Sequence, residues 1–353
     1  MSGEETYETS GFDAIADRLQ ELYPGQEEKH YGTIVPYALC GNDPLDGVSV
    51  FKNEKGVPHW HYISFGFTEL YEKESDDEEE SGYGFELTFR LKRGDEEEPP
   101  MWPISLMQNL ARYVFSTGNV FGAGHHMSCN GPIALEAETL LTALGFRVDP
   151  ELGEMDTPNG HMVFLQAVGI TQDEMYGMMC WDGTKFTGLM EKFVPLCVTD
   201  LARDSVMTNP EFEEAWKKGV DEDGSSTGFL YLDEVSIEQV EAAFNGRLGV
   251  LQLGAGHAKT IATMLRARVG KKRSFYLQGK GFAIGFSYGE KPGFGMEESD
   301  FAAVVLNDTA LDELCKVLQP HAGETPLKNL PLVLRLVPTV IKDNQGNVVE
   351  IIE

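Results

Sequence analysis

Two histidines, His59 and His61, stand one residue apart in the run His59-Trp60-His61-Tyr62-Ile63-Ser64-Phe65. On a strand, side chains two positions apart leave the same face, so both imidazoles point one way. With His125-His126 or His161 they could assemble a metal site, and with it a metal-dependent hydrolase. The helical His-Glu-X-X-His spacing and the Cys-X-X-Cys pair are both absent. The alternative is a pair of rings hydrogen-bonded at the mouth of a core.

A second candidate is Val250-Leu251-Gln252-Leu253-Gly254-Ala255-Gly256-His257-Ala258-Lys259, which mimics the strand–glycine–helix start of a nucleotide site. Its third glycine position holds Ala258 or Lys259, no acidic residue follows at the required distance, and no phosphate-loop motif occurs. The Gly-X-Ser-X-Gly spacing occurs at residues 224–228, in the acidic Gly-Ser linker, and at 285–289, in the alternating strand that begins at Phe282, and neither is the strand-to-helix turn of a nucleophile elbow; no cysteine stands in a recognised pattern with histidine and asparagine. Paired carboxylates are common in loops, as 57 acidic residues against 28 basic ones produce by composition alone. Nothing here asks for an enzyme, a metal or another cofactor.

The elements that must position these residues are read from periodicity. In residues 85–92, Phe85, Leu87, Phe89 and Leu91 alternate with Glu86, Thr88, Arg90 and Lys92, which puts the two sets on opposite faces of a strand. Ile63, Phe65 and Phe67 lead inward from the preceding strand, with His59 and His61 on the same face. Phe12, Ile15, Ala16, Leu19, Leu22 and Tyr23 repeat at helical spacing after Ser10, a candidate N-cap, and Pro24-Gly25 stops that helix. Residues 34–39 read as a strand. Pro103 suits the first turn of a helix whose buried stripe is Met107, Leu110, Ala111 and Val114. The loop after it, residues 119–126, has three glycines that allow close backbone approach. Residues 136–144 read as a helix ended by Gly145, and 161–170 as an apolar strand. Thr171-Gln172-Asp173-Glu174 is a capping box opening another helix. Further helices are expected at 188–193, 212–217, 261–269 and 311–318, and strands at 228–232, 275–277, 282–288 and 330–336. Strands and helices without a repeated βαβ rhythm indicate an α+β fold, two mixed α/β-layer domains.

With 353 residues, two domains are expected, and 42% hydrophobic content suffices for packed cores. The net charge of −29 sits largely in runs such as 76–80, 95–98 and 221–223, which read as solvated loops. No Lys/Arg run offers phosphates a surface, which argues against direct nucleic-acid binding and for a basic partner. Met1-Ser2-Gly3-Glu4-Glu5 lacks the features of a signal peptide, and no apolar run nears the roughly 18 residues of a membrane span. Five cysteines without a close pair fit reduced thiols and a cytoplasmic location, with the nucleus as an added site in a eukaryote.

Asp43-Pro44-Leu45-Asp46, His59-Trp60-His61-Tyr62-Ile63-Ser64-Phe65-Gly66, Gly84-Phe85-Glu86-Leu87-Thr88-Phe89-Arg90-Leu91, Trp102-Pro103 and Leu110-Ala111-Arg112-Tyr113-Val114-Phe115 come in the order and spacing of the Suppressor of fused family, which the chain resembles. The likeness continues through Thr157-Pro158-Asn159-Gly160, Phe164-Leu165-Gln166-Ala167-Val168-Gly169 and Trp181-Asp182-Gly183. It is weaker at Leu265-Arg266-Ala267-Arg268 and Arg273-Ser274-Phe275. The resemblance implies a first domain over 8–225, a short linker or seam strand over 226–245, and a second domain over 246–353, without the long insertion of animal members.

It also implies a non-enzymatic sequestering protein. In the family, a linear segment of a GLI-type zinc-finger transcription factor adds as a strand in the cleft between the domains. Tyr113 and Phe121 would be pocket aromatics, with ordinary core packing as the alternative. Phe229, Leu230 and Tyr231 would be the receiving edge strand of the first domain, with the opposite wall near Thr260 and Arg268. Where the family has Gly-Asp-His, the chain reads Gly124-His125-His126, so His125 replaces an acid, and Thr260 replaces an apolar residue. Bacterial proteins resembling the first domain are proposed to be immunity proteins that neutralise toxins. An acidic binder of a basic toxin is therefore the main alternative, and the metal-dependent hydrolase the second.

Overall fold

The computed structural model describes residues 9–352 apart from 36, 38–40, 136, 242–246 and 343–347. The chain divides into two compact units, one of residues 1–175 and 183–212, the other of 176–182 and 213–353. Residues 213–225, assigned above to the first domain, therefore pack with the second unit.

In the first unit, helix α1 (Ser10–Leu22) precedes strands β1 (Lys29–Gly32), β2 (Gly47–Asn53), β3 (His59–Phe65) and β4 (Glu80–Lys92). Helix α2 (Trp102–Thr117), strands β5 (His126–Ser128), β6 (Leu141–Val148), β7 (Glu154–Thr157) and β8 (Gly160–Thr171), and helices α3 (Gln172–Cys180) and α4 (Gly183–Met190) follow, with residues 176–180 of α3 belonging to the second unit, and α5 (Pro210–Asp223) leads into that unit. The sheet order is β1-β2-β3-β4-β8-β6-β5, with β7 paired to β8.

Both faces of this sheet are covered, which decides the fate of every alternating residue. Phe85, Leu87, Phe89 and Leu91 join Trp60 and Tyr62 under Met107, Leu110, Ala111 and Val114 of α2. On the other face Ile63 and Phe65 pack with Ile15 and Leu19 of α1. The helix N-cap is Thr9 rather than Ser10, and its hydroxyl donates to Asp13 Oδ2 at 2.8 Å. Residues 36, 38 and 39 of the expected strand at 34–39 lie outside the described residues, and 34, 35 and 37 are not strand; the strand before them, β1, ends at Gly32.

Residues 141–144 are not helical. The segment 141–148 is β6, held between β5 and β8, with Gly145 opposite both His126 and Val168. Ala, Glu and Leu favour a helix locally, but ladder bonds on both edges and burial of Leu141, Leu144 and Phe146 override that preference.

In the second unit, β9 (Phe229–Tyr231), β10 (Val235–Glu241) and β11 (Arg247–Gly254) are followed by α6 (Ala258–Arg268). Next come β12 (Phe275–Gly279), β13 (Phe282–Tyr288), β14 (Gly293–Glu298), β15 (Phe301–Leu306) and α7 (Asp308–Val317). The last strands are β16 (Gly323–Pro326), β17 (Leu332–Val337), β18 (Thr339–Lys342) and β19 (Val348–Ile352). They form sheets of order β14-β15-β13-β12-β9 and β10-β11-β17-β16 and a β18-β19 pair. No helix among the described residues is long and apolar enough to cross a membrane.

Candidate functional site

The histidine pair on β3 is sealed. Both rings are fully buried on the α1 face, and each ring nitrogen has a partner. His59 Nδ1 lies 2.6 Å from the Val57 carbonyl and Nε2 2.9 Å from Arg90 Nη1. A carbonyl can only accept and a guanidinium can only donate, so the ring is neutral with its proton on Nδ1. Burial, then the charge of Arg90, brings the His59 pKa down to about 4. His61 sits between the Tyr23 hydroxyl, 2.7 Å from Nδ1, and Asp149 Oδ2, 3.1 Å from Nε2. Burial lowers its pKa as well.

Arg90 binds Asp149 through Nη2 at 2.8 Å and 2.9 Å, and Nη1 reaches Glu151 at 2.7 Å. Burial alone would raise the Asp149 pKa, but the hydrogen bond from His61 and the charge and hydrogen bonds of Arg90 hold it well below the carboxylate range. His161 pairs with Asp156 at 2.9 Å on the surface, and His126 is on β5 at the far edge of the sheet. Among the described residues no three His, Cys, Asp or Glu side chains gather as a metal site. The histidines are scaffold, holding the sheet to the 149–152 turn.

Glu86, on the same face, is fully buried and accepts from Ser64 Oγ at 2.5 Å, from the Gly66 and Thr68 N–H groups at 2.9 Å each, and from the Thr68 hydroxyl at 2.7 Å. Burial outweighs these donors and lifts its pKa to about 7.

The aromatic pair is divided between core and surface. Phe121, 9% exposed, stacks on Phe146 with centroids 4.3 Å apart and meets Phe85 edge-on. It belongs to the α2-side core. Tyr113, at 37% exposure on α2, stacks on Phe121 at 5.7 Å and presents its outer side to solvent. His125 is exposed, and its Nδ1 accepts from the Gly122 N–H at 3.1 Å. The glycine loop approaches its own chain: a Cβ on Gly183 would lie 2.1 Å from the Gly124 carbonyl oxygen, so α4 starts against this loop.

The edge strand belongs to the second unit. β9 pairs in parallel with β12, Phe229 opposite Tyr276 and Tyr231 opposite Gln278, so it is not an edge of the first domain. Leu230 is buried, leaving Phe229 and Tyr231 as the exposed pair at 47% and 69%. Tyr276 N–H donates to the Gly228 carbonyl at 2.9 Å and Leu232 N–H to the Gln278 carbonyl at 2.8 Å. In a parallel ladder alternate residues bond to one neighbour, so the main-chain groups of Phe229 and Tyr231 face out of the sheet. Their rings meet edge-on at 5.3 Å.

Thr260 is half-buried on α6. Arg268 is engaged internally, donating from Nε to the Ser274 carbonyl at 2.8 Å and from Nη1 to the Ser225 carbonyl at 2.9 Å. Burial and the neighbouring Arg273 lower its pKa. Gly254 to His257 run from β11 straight into α6, the strand–turn–helix geometry read above, with Gly256 N–H bonded to Thr339 Oγ1 at 2.9 Å.

Comparison with known proteins bears on this arrangement. Residues 41–204 match the family model "Suppressor of fused protein (SUFU)". The human Suppressor of fused homolog is 38% identical over 235 aligned residues, 61% of this chain and 48% of the human protein. The chain thus spans about half the length of that curated relative. A chain in the crystal structure of the Sufu-Fu complex is 31% identical, with 61% of this chain and 99% of that one covered and a TM-score of 0.56. The crystal structure of Drosophila Suppressor of Fused shares the fold over 94% of this chain and 98% of that one, at 22% identity and a TM-score of 0.77.

Proposed function

The chain belongs to the Suppressor of fused family, and from that premise we propose that it is a non-enzymatic protein that captures and sequesters a protein partner by strand addition. The observation that carries this reading is the open β9 edge, where two outward-facing main-chain positions coincide with the exposed rings of Phe229 and Tyr231. Backbone donors and acceptors there supply register and affinity, and the aromatics supply selectivity. A relative solved as the Sufu-Fu complex supports a protein as the ligand. The specific form, carried from the family resemblance, is a linear segment of a GLI-type transcription factor taken into a cleft between the domains of a cytoplasmic protein.

The test uses proline. At Tyr231 proline removes an N–H that faces away from β12, so the sheet loses nothing that it uses. Pull-down of a GLI-type factor by the full chain should succeed, and Tyr231→Pro should reduce the captured amount at least tenfold while the thermal melt stays nearly unchanged. Equal capture by Tyr231→Pro would reject the edge as the receptor.

A further inference from the structure

A groove of 730 Å³ lies in the second unit between α5, α6 and α7. Each helix turns one face to it. α6 contributes Lys259, Ala262, Thr263, Arg266 and Ala267, at the i, i+3, i+4, i+7, i+8 spacing of a single stripe. α5 brings Trp216, Lys217, Val220 and Asp221, and α7 brings Asp312, Cys315 and Lys316. The floor is apolar, with Ala267, Cys315 and Leu318 buried and Trp216 and Val220 half-buried. The indole N–H of Trp216 is committed to the Gly177 carbonyl at 3.0 Å, so this residue offers the groove ring surface.

The rim reverses the charge of the molecule. Lys217, Lys259, Arg266, Lys271 and Lys316 line the groove against only Asp221 and Asp312, five basic side chains to two acidic, in a chain with 28 basic and 57 acidic residues. All five cations are exposed. Lys217 is held by Glu213 at 2.7 Å and Lys271 by the Asp221 carbonyl at 2.5 Å. Among the described residues Lys259, Arg266 and Lys316 enter no ion pair with a carboxylate. A local cationic field over an apolar floor selects for an anionic ligand that also carries apolar groups.

We propose that this groove is a second docking site, distinct from the β9 edge, for an acidic segment of a partner protein that bears aromatic or aliphatic side chains. The carboxylates meet Lys259, Arg266 and Lys316, and the apolar side chains lie on Trp216, Val220 and Leu318. The length of the three-helix groove and its apolar floor favour a peptide over a small anion, which would use the rim and leave the floor wet.

Random peptides displayed on phage are selected on the full chain after depletion on Lys259→Glu/Arg266→Glu/Lys316→Glu, all exposed positions. The recovered peptides should be rich in Asp and Glu with at least one large apolar residue. They should bind the unaltered chain at least tenfold tighter than the variant, and weaken as salt rises from about 50 to 300 mM. Should the triple variant melt early, Lys259→Ala/Lys316→Ala serves for the same comparison. Peptides without acidic excess, or equal binding to both proteins, overturn the proposal. Saturable binding of inorganic pyrophosphate by calorimetry, with no discriminating peptide, overturns it in favour of a small-anion site.

Discussion

Glu86 shows how a period-two pattern can be read correctly and still conceal the environment. Alternation separates it from Phe85 and Leu87, yet its own face is as dry as theirs because α1 covers it. Its pKa of about 7 against an ordinary 4.5 means that the folded protein binds a proton more tightly than the unfolded chain does. The resulting penalty is absent below about pH 4.5, grows between there and about pH 7, and is constant above, on the order of 3 kcal/mol. Glu86→Gln keeps the shape, with Oε1 accepting from Gly66 and Thr68 and the amide donating to Ser64. In urea titrations at pH 5 and pH 8 the variant should match the unaltered protein at the lower pH and exceed it at the higher one. The His59 and His61 rings belong to the same buried layer. Their spacing suggested a ligand pair, and only the positions of Arg90, Asp149 and Tyr23, far apart in the chain, reveal that every ring nitrogen is already used.

Elements were legible where the pattern is local and illegible where a distant neighbour decides. The stripes of α1 and α2 and the faces of β3 and β4 follow from spacing alone. β6 does not, because its strand state comes from pairing with β8, whose partner residues 165–171 lie past an intervening turn. Residues 229–231 read as strand from their own pattern, but the sheet they join does not, since their partner β12 begins 46 residues later, Phe229 to Phe275. Knowing that pairing turns neighbouring positions into opposites. Leu230 directs its N–H toward β12 and its side chain into the core, so Leu230→Pro should lower the melting temperature by more than 5 °C, for about 2–3 kcal/mol lost. Tyr231→Pro, one residue on, should leave it within 2 °C, about the resolution of such a scan. Differential scanning fluorimetry of the two proteins side by side makes the comparison.

At the level of the molecule, composition anticipated two packed units, while the junction lay beyond it. Residues 176–182 pack with 213–353. Trp181 Nε1 donates to Asp223 at 2.8 Å, Trp216 Nε1 to the Gly177 carbonyl at 3.0 Å, and Ser225 Oγ to the Met179 carbonyl at 2.6 Å. A fragment cut at 226, where the composition changes, removes the donors or acceptors of all three bonds and the two tryptophans. A fragment starting at 176 retains them. The shorter piece should melt at least 10 °C lower or precipitate, as circular dichroism with heating would show, given shifts of about 2–4 °C per kcal/mol in domains near this size and the loss of several kcal/mol of packing.

The short outer side of β9 sets how long a ligand could stay. Two residues offer at most four outward main-chain bonds, each contributing about 1 kcal/mol net, whereas nanomolar retention requires about 12 kcal/mol. Strand addition of this extent therefore favours rapid exchange, and lasting residence requires a second point of attachment. The helical groove with the reversed charge lies in the same unit, so a partner carrying both an extendable segment and an acidic one would be held by avidity. Neutralising or masking that acidic segment would then shorten the dwell time without touching the β9 edge.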